Sequence, residues 1–219
     1  MNNVIRRPLR YVNFNAVYWL IGINVFIYML CSEQAVRFFG PALRYFLLTR
    51  MSMIPVLVIR DGWIWTFVTY MFMHGNLGHV LFNMLGLFIF GMHVERQMGS
   101  KEFLLFYLVT GTLAGIFSFI VYFFTRNFLA ALMGASGALF AVQLAYAVFF
   151  PNSIIYIWGI LPIRAPVMVL GFTVLSIFYV ITGRGGNVAH LTHLAGYIFG
   201  WFYFLIRFGI NPWQRLTGR

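Results

Sequence analysis

Six long apolar segments alternate with short charged, Pro-containing or Gly-containing stretches along the chain. They lie near residues 14–31, 79–94, 102–124, 135–150, 166–182 and 188–209. A membrane hydrocarbon core about 30 Å thick takes roughly 20 apolar residues per spanning helix, so segments of this kind suit membrane crossing. The pattern predicts an all-α membrane protein, a bundle of six transmembrane helices.

The stretch between the first two segments has a different character. Residues 32–73 mix charged with aromatic side chains, and Trp63 and Trp65 are of the type that anchors at membrane–water interfaces. We therefore predict that this first loop is membrane-associated and lies along the surface rather than across the bilayer. No internal repeat or linker is evident, so residues 1–219 are predicted to form a single domain with no soluble domain.

Composition supports the membrane assignment, and it also changes how the positive net charge is interpreted. Of 219 residues, 62% are hydrophobic and 9% are charged, whereas soluble domains have about a quarter of their residues charged. The net charge of +11 is spread through loops and tails, where it sets topology, so nucleic acid is not an expected partner. Its distribution favours cytoplasmic N- and C-termini. The N-terminal stretch lacks a small-residue cleavage site, so we expect a first span rather than a removable signal peptide.

Polar side chains inside apolar segments are candidates for function, because an unpaired polar group in a membrane is costly. The first group runs from His74 to Asn83, at the start of the second segment. His79 and Asn83 are four residues apart and share one helix face, where both can donate hydrogen bonds to one point. The alternative is an interhelical hydrogen-bond pair with a purely structural role.

The second group, Gly134-Ala135-Ser136-Gly137, opens the fourth segment. Glycines on both sides leave the Ser136 hydroxyl accessible, and a helix N-terminus favours developing negative charge, so Ser136 is a candidate nucleophile. Ordinary small-residue packing is the alternative, since it explains the Gly and Ala residues without any catalytic role.

The third group lies in the sixth segment, where His193 precedes a Gly196-x-x-x-Gly200 step. This step lets a neighbouring backbone approach closely, and the small-residue face of the fourth segment is its expected partner. His193 lies one turn from Gly196 and would face Ser136 as the base that takes the serine proton. A buried histidine bonded to a carbonyl is the structural alternative, and His190 is expected only to support the site.

None of the four acidic residues is predicted to lie inside a span, so a buried Ser-His-Asp triad is excluded and a Ser136–His193 dyad remains. The backbone N–H of Ser136 and the side chains of His79 and Asn83 are the expected donors to a substrate oxyanion. The histidines form no H-E-x-x-H motif and the single cysteine has no partner, so neither a metal site nor a cofactor is predicted.

As an ordered set, H-x4-H-x3-N, G-A-S-G and H-x-x-G-x-x-x-G resemble the rhomboid intramembrane serine proteases over residues 14–209. The resemblance implies Ser136 as nucleophile and His193 as base. It implies supporting roles at the oxyanion or substrate for His79, Asn83, Gly134 and His74. It further implies a six-helix bacterial form in the inner membrane. Such a protein cleaves peptide bonds in or beside transmembrane segments of its substrates, in contact with the lipid bilayer and without cofactor or metal.

Two positions depart from the family pattern. Many members carry Trp-Arg in the first loop, where this chain has Trp65-Thr66, and some carry Tyr one turn after the nucleophile, where it has Phe140. Phe140 can stack on the base but cannot hydrogen-bond to it. A Gly-rich loop at residues 182–187 is expected to act as a movable cover, and substrate to enter laterally past the fifth segment.

The main alternative is a polytopic transporter or proton relay, because intramembrane His and Asn residues also line ion pathways. The chain shows neither inverted repeats nor predicted intramembrane carboxylates. A serine peptidase is therefore the favoured prediction.

Overall fold

The computed structural model describes residues 8–157, 159–183 and 187–218. These ranges contain α1 (Ala16–Leu30), α2 (Glu33–Phe39), α3 (Pro41–Met51), α4 (Pro55–Asp61), α5 (Thr66–Thr69), α6 (Leu77–Gly86), α7 (Met92–Met98), α8 (Ser100–Phe124), α9 (Ser136–Phe149), α10 (Ala165–Thr182), α11 (Asn187–Tyr203) and α12 (Pro212–Thr217). One antiparallel hairpin, β1 (Ile154–Ile157) and β2 (Leu161–Arg164), lies between α9 and α10.

Among the described residues, three helices are long and apolar enough to cross a membrane. They are Leu77–Met98, Ser100–Phe124 and Ala165–Thr182, and α1 with α2, bent by 61°, would make a fourth. The first of the three is continuous because a π-helical stretch, Leu87–Gly91, joins α6 to α7. The predicted all-α membrane bundle is confirmed. Each of the six predicted segments contains a helix, while the number of membrane crossings stays a prediction.

The first loop is a folded unit built from α2 to α5. Trp63 and Trp65 stack with their ring centroids 5.7 Å apart, and the guanidinium carbon of Arg50 lies 4.2 Å from the Trp63 ring centroid. The Trp65 indole donates to the Arg50 carbonyl at 2.9 Å, and the Thr66 hydroxyl donates to the Trp63 carbonyl at 2.6 Å. Thr66, where many rhomboids are expected to carry arginine, therefore closes a turn inside the loop. The position of this loop on the membrane surface stays a prediction.

Helix α9 lies at the centre of the bundle, and 11 of its 14 residues are buried. Small residues bring α11 against it. A Cβ built on Gly196 would lie 2.1 Å from the Gly137 carbonyl oxygen, and one on Gly200 would lie 3.1 Å from the Ala141 Cβ. The predicted packing of the Gly-x-x-x-Gly face on the small face of the fourth segment is confirmed, and it sets the spacing of the two helices that carry the candidate site.

Two carboxylates are buried near the ends of the long helices, and the expectation that no acid lies inside a span stays a prediction. Glu95 accepts hydrogen bonds from the first two backbone N–H groups of α1, at 2.6 and 3.0 Å, and from the Ser100 hydroxyl. Glu102 is fully buried and pairs with Arg207 at 2.8 Å. These partners are distant in sequence, and local hydrophobicity does not reveal such pairing. Within the described residues neither acid hydrogen-bonds His193.

Within the described part of the chain, the hairpin departs from the predicted all-α fold. Pro151 cannot extend α9, and Pro166, in the first turn of α10, fixes where the next helix begins. The intervening residues pair as β1 and β2, with Ile155 opposite Ile163. Ile155 and Tyr156 of this hairpin also line the cavity at the candidate site.

Candidate active site

Gly134 shapes the turn that delivers Ser136 to the first position of α9. Its φ of +117° is a backbone conformation that residues with a side chain rarely adopt. The Gly134 N–H donates to the Tyr70 carbonyl at 2.9 Å. A Cβ here would lie 2.5 Å from Nε2 of His79, so the missing side chain also lets the histidine ring approach.

Ser136 and His193 lie within hydrogen-bonding distance. The Nε2 atom of His193 is 2.9 Å from the Ser136 hydroxyl oxygen, although the residues are 57 positions apart in the chain. Each is half-buried, so the pair is sheltered by the bundle without being sealed inside it.

Aromatic rings hold the His193 imidazole in place. Phe140 stacks on it with ring centroids 4.2 Å apart and an interplanar angle of 13°, so the predicted stacking is confirmed. His190 meets it edge-on at 5.7 Å, and Tyr179 of α10 stacks on His190 at 4.6 Å. The imidazole is thus oriented by packing on both sides, and α10 reaches it through His190.

His79 and Asn83 stand beside the pair on α6. The Asn83 amide donates to the His79 carbonyl at 2.9 Å, which uses one of its two amide hydrogens. His74 lies edge-on to His79 with ring centroids 5.0 Å apart. Within the described residues neither ring nitrogen of His74 makes a hydrogen bond of good geometry, although a backbone contact with Phe72 partly offsets the effect of burial on its pKa. Burial, and secondarily the neighbouring His79, lower the pKa of His74 to about 4.

A cavity of about 710 Å³ joins these side chains. Its walls come from α6, the π-helical stretch, α9, α10, α11 and the hairpin, and most of the lining residues are apolar. Four of the six predicted site residues line it, namely Ser136, His193, His79 and Asn83. The other two, Gly134 and His74, do not line the cavity but lie next to the His79 ring. Residues 184–186 of the loop expected to act as a cover lie outside the described residues.

A family model, the Rhomboid domain, matches residues 61–210, which is more than half of the chain. The chain belongs to the rhomboid family. The matched region contains the first-loop tryptophans, the whole of the cavity and both members of the Ser136–His193 pair.

Individual relatives of this rhomboid chain are moderately similar. RHOMBOID-like protein 12, mitochondrial, of Arabidopsis thaliana is 28% identical over 155 residues, 63% of this chain and 44% of that protein. Rhomboid-like protein 11, chloroplastic, of the same plant is 33% identical over 128 residues, covering 58% and 40%. Rhomboid protease GlpG of Haemophilus influenzae is 30% identical over 90 residues, covering 40% and 43%. The chain spans less than half the length of these three relatives.

Sequence reasoning missed a second polar contact between α9 and α11, one member of which, Gln143, lines the cavity of this rhomboid chain. The Tyr197 hydroxyl donates to Oε1 of Gln143 at 3.3 Å, and both residues are buried. Gln143 lies in the middle of an apolar segment, seven residues after Ser136. The rule that a polar residue inside a span is a candidate for function would have found it.

Proposed function

We propose that this protein is an intramembrane serine endopeptidase that hydrolyses peptide bonds in or beside transmembrane segments of its substrates. The observation that carries the proposal is the 2.9 Å contact between Nε2 of His193 and the Ser136 hydroxyl, at the wall of a large apolar cavity. Membership of the rhomboid family supports it, as does the similarity to rhomboid protease GlpG of Haemophilus influenzae.

The chemistry begins with transfer of the Ser136 hydroxyl proton to Nε2 of His193 as the serine oxygen attacks the scissile carbonyl carbon. His193 then gives this proton to the departing amine. In the second half, the imidazole takes a proton from water as the water oxygen attacks the acyl-enzyme, and returns it to Ser136. No metal or cofactor is needed for any of these steps.

Three donors are proposed for the oxyanion. The backbone N–H of Ser136 belongs to the first turn of α9, where N–H groups have no partner within the helix. His79 and the second amide hydrogen of Asn83 complete the set from α6. No carboxylate is proposed to orient His193. Stacking on Phe140 and contact with His190 do so instead.

The setting of the reaction is part of the proposal. The partners would be transmembrane substrate proteins in a lipid bilayer, in a bacterial inner membrane, with both termini cytoplasmic. The transporter alternative gains no support from the buried acids. Glu95 caps α1, and Glu102 is engaged by Arg207 and Tyr203.

Covalent labelling tests the Ser136–His193 pair. A fluorophosphonate should label Ser136 in the detergent-solubilised protein, and labelling should disappear in His193→Ala. In proteoliposomes the wild type should cleave a model transmembrane substrate, and Ser136→Ala should not. Equal cleavage by the wild type and Ser136→Ala would refute the proposal.

A further inference from the structure

A second polar pair, Gln143 and Tyr197, lies further along the same two helices as Ser136 and His193, and the proposed mechanism does not use it. Gln143 follows Ser136 by two helical turns, so both project from the same face of α9, and both line the cavity. Tyr197 follows His193 by about one turn of α11 and donates to Oε1 of Gln143 at 3.3 Å. The Gln143–Tyr197 contact therefore joins the same two helices, α9 and α11, as the Ser136–His193 contact, at a point further along both.

The Gln143 amide is only partly used. Oε1 accepts from Tyr197, while Nε2 makes no hydrogen bond within the described residues. The residue is 7% exposed, and Nε2 keeps some accessible surface, so water in the cavity can reach it while the cavity is empty of substrate. A peptide bound in the cavity would exclude that water, and a donor then left without a partner carries a desolvation cost. A peptide that enters the cavity can remove this cost by offering an oxygen atom to Nε2.

The cavity restricts what that peptide can present. No Asp, Glu, Lys or Arg is among the described residues that line it. A charged substrate side chain would lose its hydration there without gaining a counter-ion, which is costly. An apolar side chain would leave Nε2 without a partner. An uncharged side chain with a carbonyl or hydroxyl oxygen avoids both penalties.

We propose that Gln143 is a specificity-determining residue that selects substrates with Asn, Gln, Ser or Thr near the scissile bond. This inference rests on the proposed peptidase function. The two turns from Ser136 to Gln143 advance about 10 Å along the helix axis. An extended peptide covers that length in roughly three residues at about 3.3 Å each. The selected side chain therefore lies about three residues from the bond that is cut, and Tyr197 is the positioning residue that orients the amide.

The test uses the full chain in proteoliposomes and a transmembrane substrate whose scissile bond has been mapped by mass spectrometry. A single Asn or a single Leu is placed at each position from the second to the fifth on either side of that bond, and kcat/KM is measured for every Asn/Leu pair. At one position we expect Asn to be preferred about tenfold, the gain from one hydrogen bond in a water-poor site. A ratio near one at every position in the wild type overturns the inference.

Variants assign the preference to the amide. Gln143→Met has a similar length without hydrogen-bonding groups, and the Asn/Leu ratio should fall to near one. Tyr197→Phe should give an intermediate ratio, because the amide loses its orienting partner. Gln97→Met, the same change at an exposed position on α7, should keep the wild-type ratio. An Asn preference that survives in Gln143→Met overturns the inference.

The same experiment distinguishes failure of the peptidase proposal from failure of the specificity inference. Fluorophosphonate labelling of Ser136 in each variant reports whether the Ser136–His193 pair is still assembled. If the wild type cleaves no substrate faster than Ser136→Ala does, the peptidase proposal is overturned, and the specificity inference falls with it. If the wild type cleaves all substrates without an Asn preference, only the specificity inference is overturned.

Discussion

A methyl group added at Gly196 should separate the two helices that carry the candidate active site. The new Cβ would lie 2.1 Å from the Gly137 carbonyl oxygen, whereas ordinary contact begins at 3.4 Å, so the helices must part by about 1.3 Å. Neither atom can rotate away, because one is backbone and the other is bonded directly to it. A shift of this size lengthens the His193–Ser136 contact from 2.9 Å to about 4 Å, beyond hydrogen-bonding range.

We therefore expect Gly196→Ala to lower the rate of fluorophosphonate labelling about 100-fold, since a misplacement of about 1 Å can cost that much. Stability should change less. Overpacking costs about 1–3 kcal/mol, but Ala is about 1 kcal/mol better than Gly inside a helix. The thermal midpoint in detergent should therefore fall only slightly.

Gly200→Ala is the matched control for this change. Its Cβ would lie 3.1 Å from the Ala141 side chain, a milder contact and one turn further from the site. It should retain most of the labelling rate. Wild-type labelling of Gly196→Ala, or an equal loss in Gly200→Ala, would refute the argument that helix spacing sets the geometry of the pair.

Three further predictions concern other parts of the structure. Asn83→Ala should lower kcat about 10²–10³-fold, as loss of an oxyanion donor does, with a nearly unchanged thermal midpoint; a large loss of stability with unaltered turnover would make Asn83 structural. Glu102→Gln should destabilise the protein by about 3 kcal/mol because Arg207 loses a buried carboxylate. Thermal denaturation should show partial recovery when Arg207→Met is added, and no recovery would contradict the pairing argument. His74 has a folded-state pKa of about 4 against an ordinary value of 6.5. The unfolded chain therefore binds its proton first, and up to about 3 kcal/mol of stability is lost as the pH falls from 6.5 to 4. Thermal midpoints of His74→Gln should fall less over this range, and parallel curves would contradict the assignment.

The sequence predicts the helices well because a chain in a bilayer must hide its backbone in helices, and long apolar runs reveal them. It also points to the residues around the cavity. The apolar segments are interrupted by Ser136, His79 and His193. A polar side chain inside a span is costly unless it has a structural or functional role. The approach of α11 to α9 was predictable for the same kind of reason, because Gly196 and Gly200 lie on one face.

The features that the sequence does not reveal are those that depend on contacts between residues distant in the chain. Glu95 and Glu102 lie at the ends of long helices, and only the fold shows that each meets partners from another helix. The hairpin between α9 and α10 has apolar residues and prolines in no clear alternation, so its pairing has no simple signature. Gln143 was missed because it lies outside the three polar groups of the sequence, and its partner Tyr197 is an amphipathic residue of a kind that spans commonly contain.

The shortness of α9 bears on how far below the membrane surface Ser136 would lie. Its 14 residues rise about 21 Å, against a hydrocarbon core of about 30 Å. With its far end at one interface, its first residue stops about 9 Å below the other. If the protein is the proposed peptidase, a substrate would have to bring its scissile bond to that level, so the apolar length on the near side of the bond would determine which bond is cut. The same substrate sequence, reconstituted in lipids with longer acyl chains, would then present a different bond to Ser136.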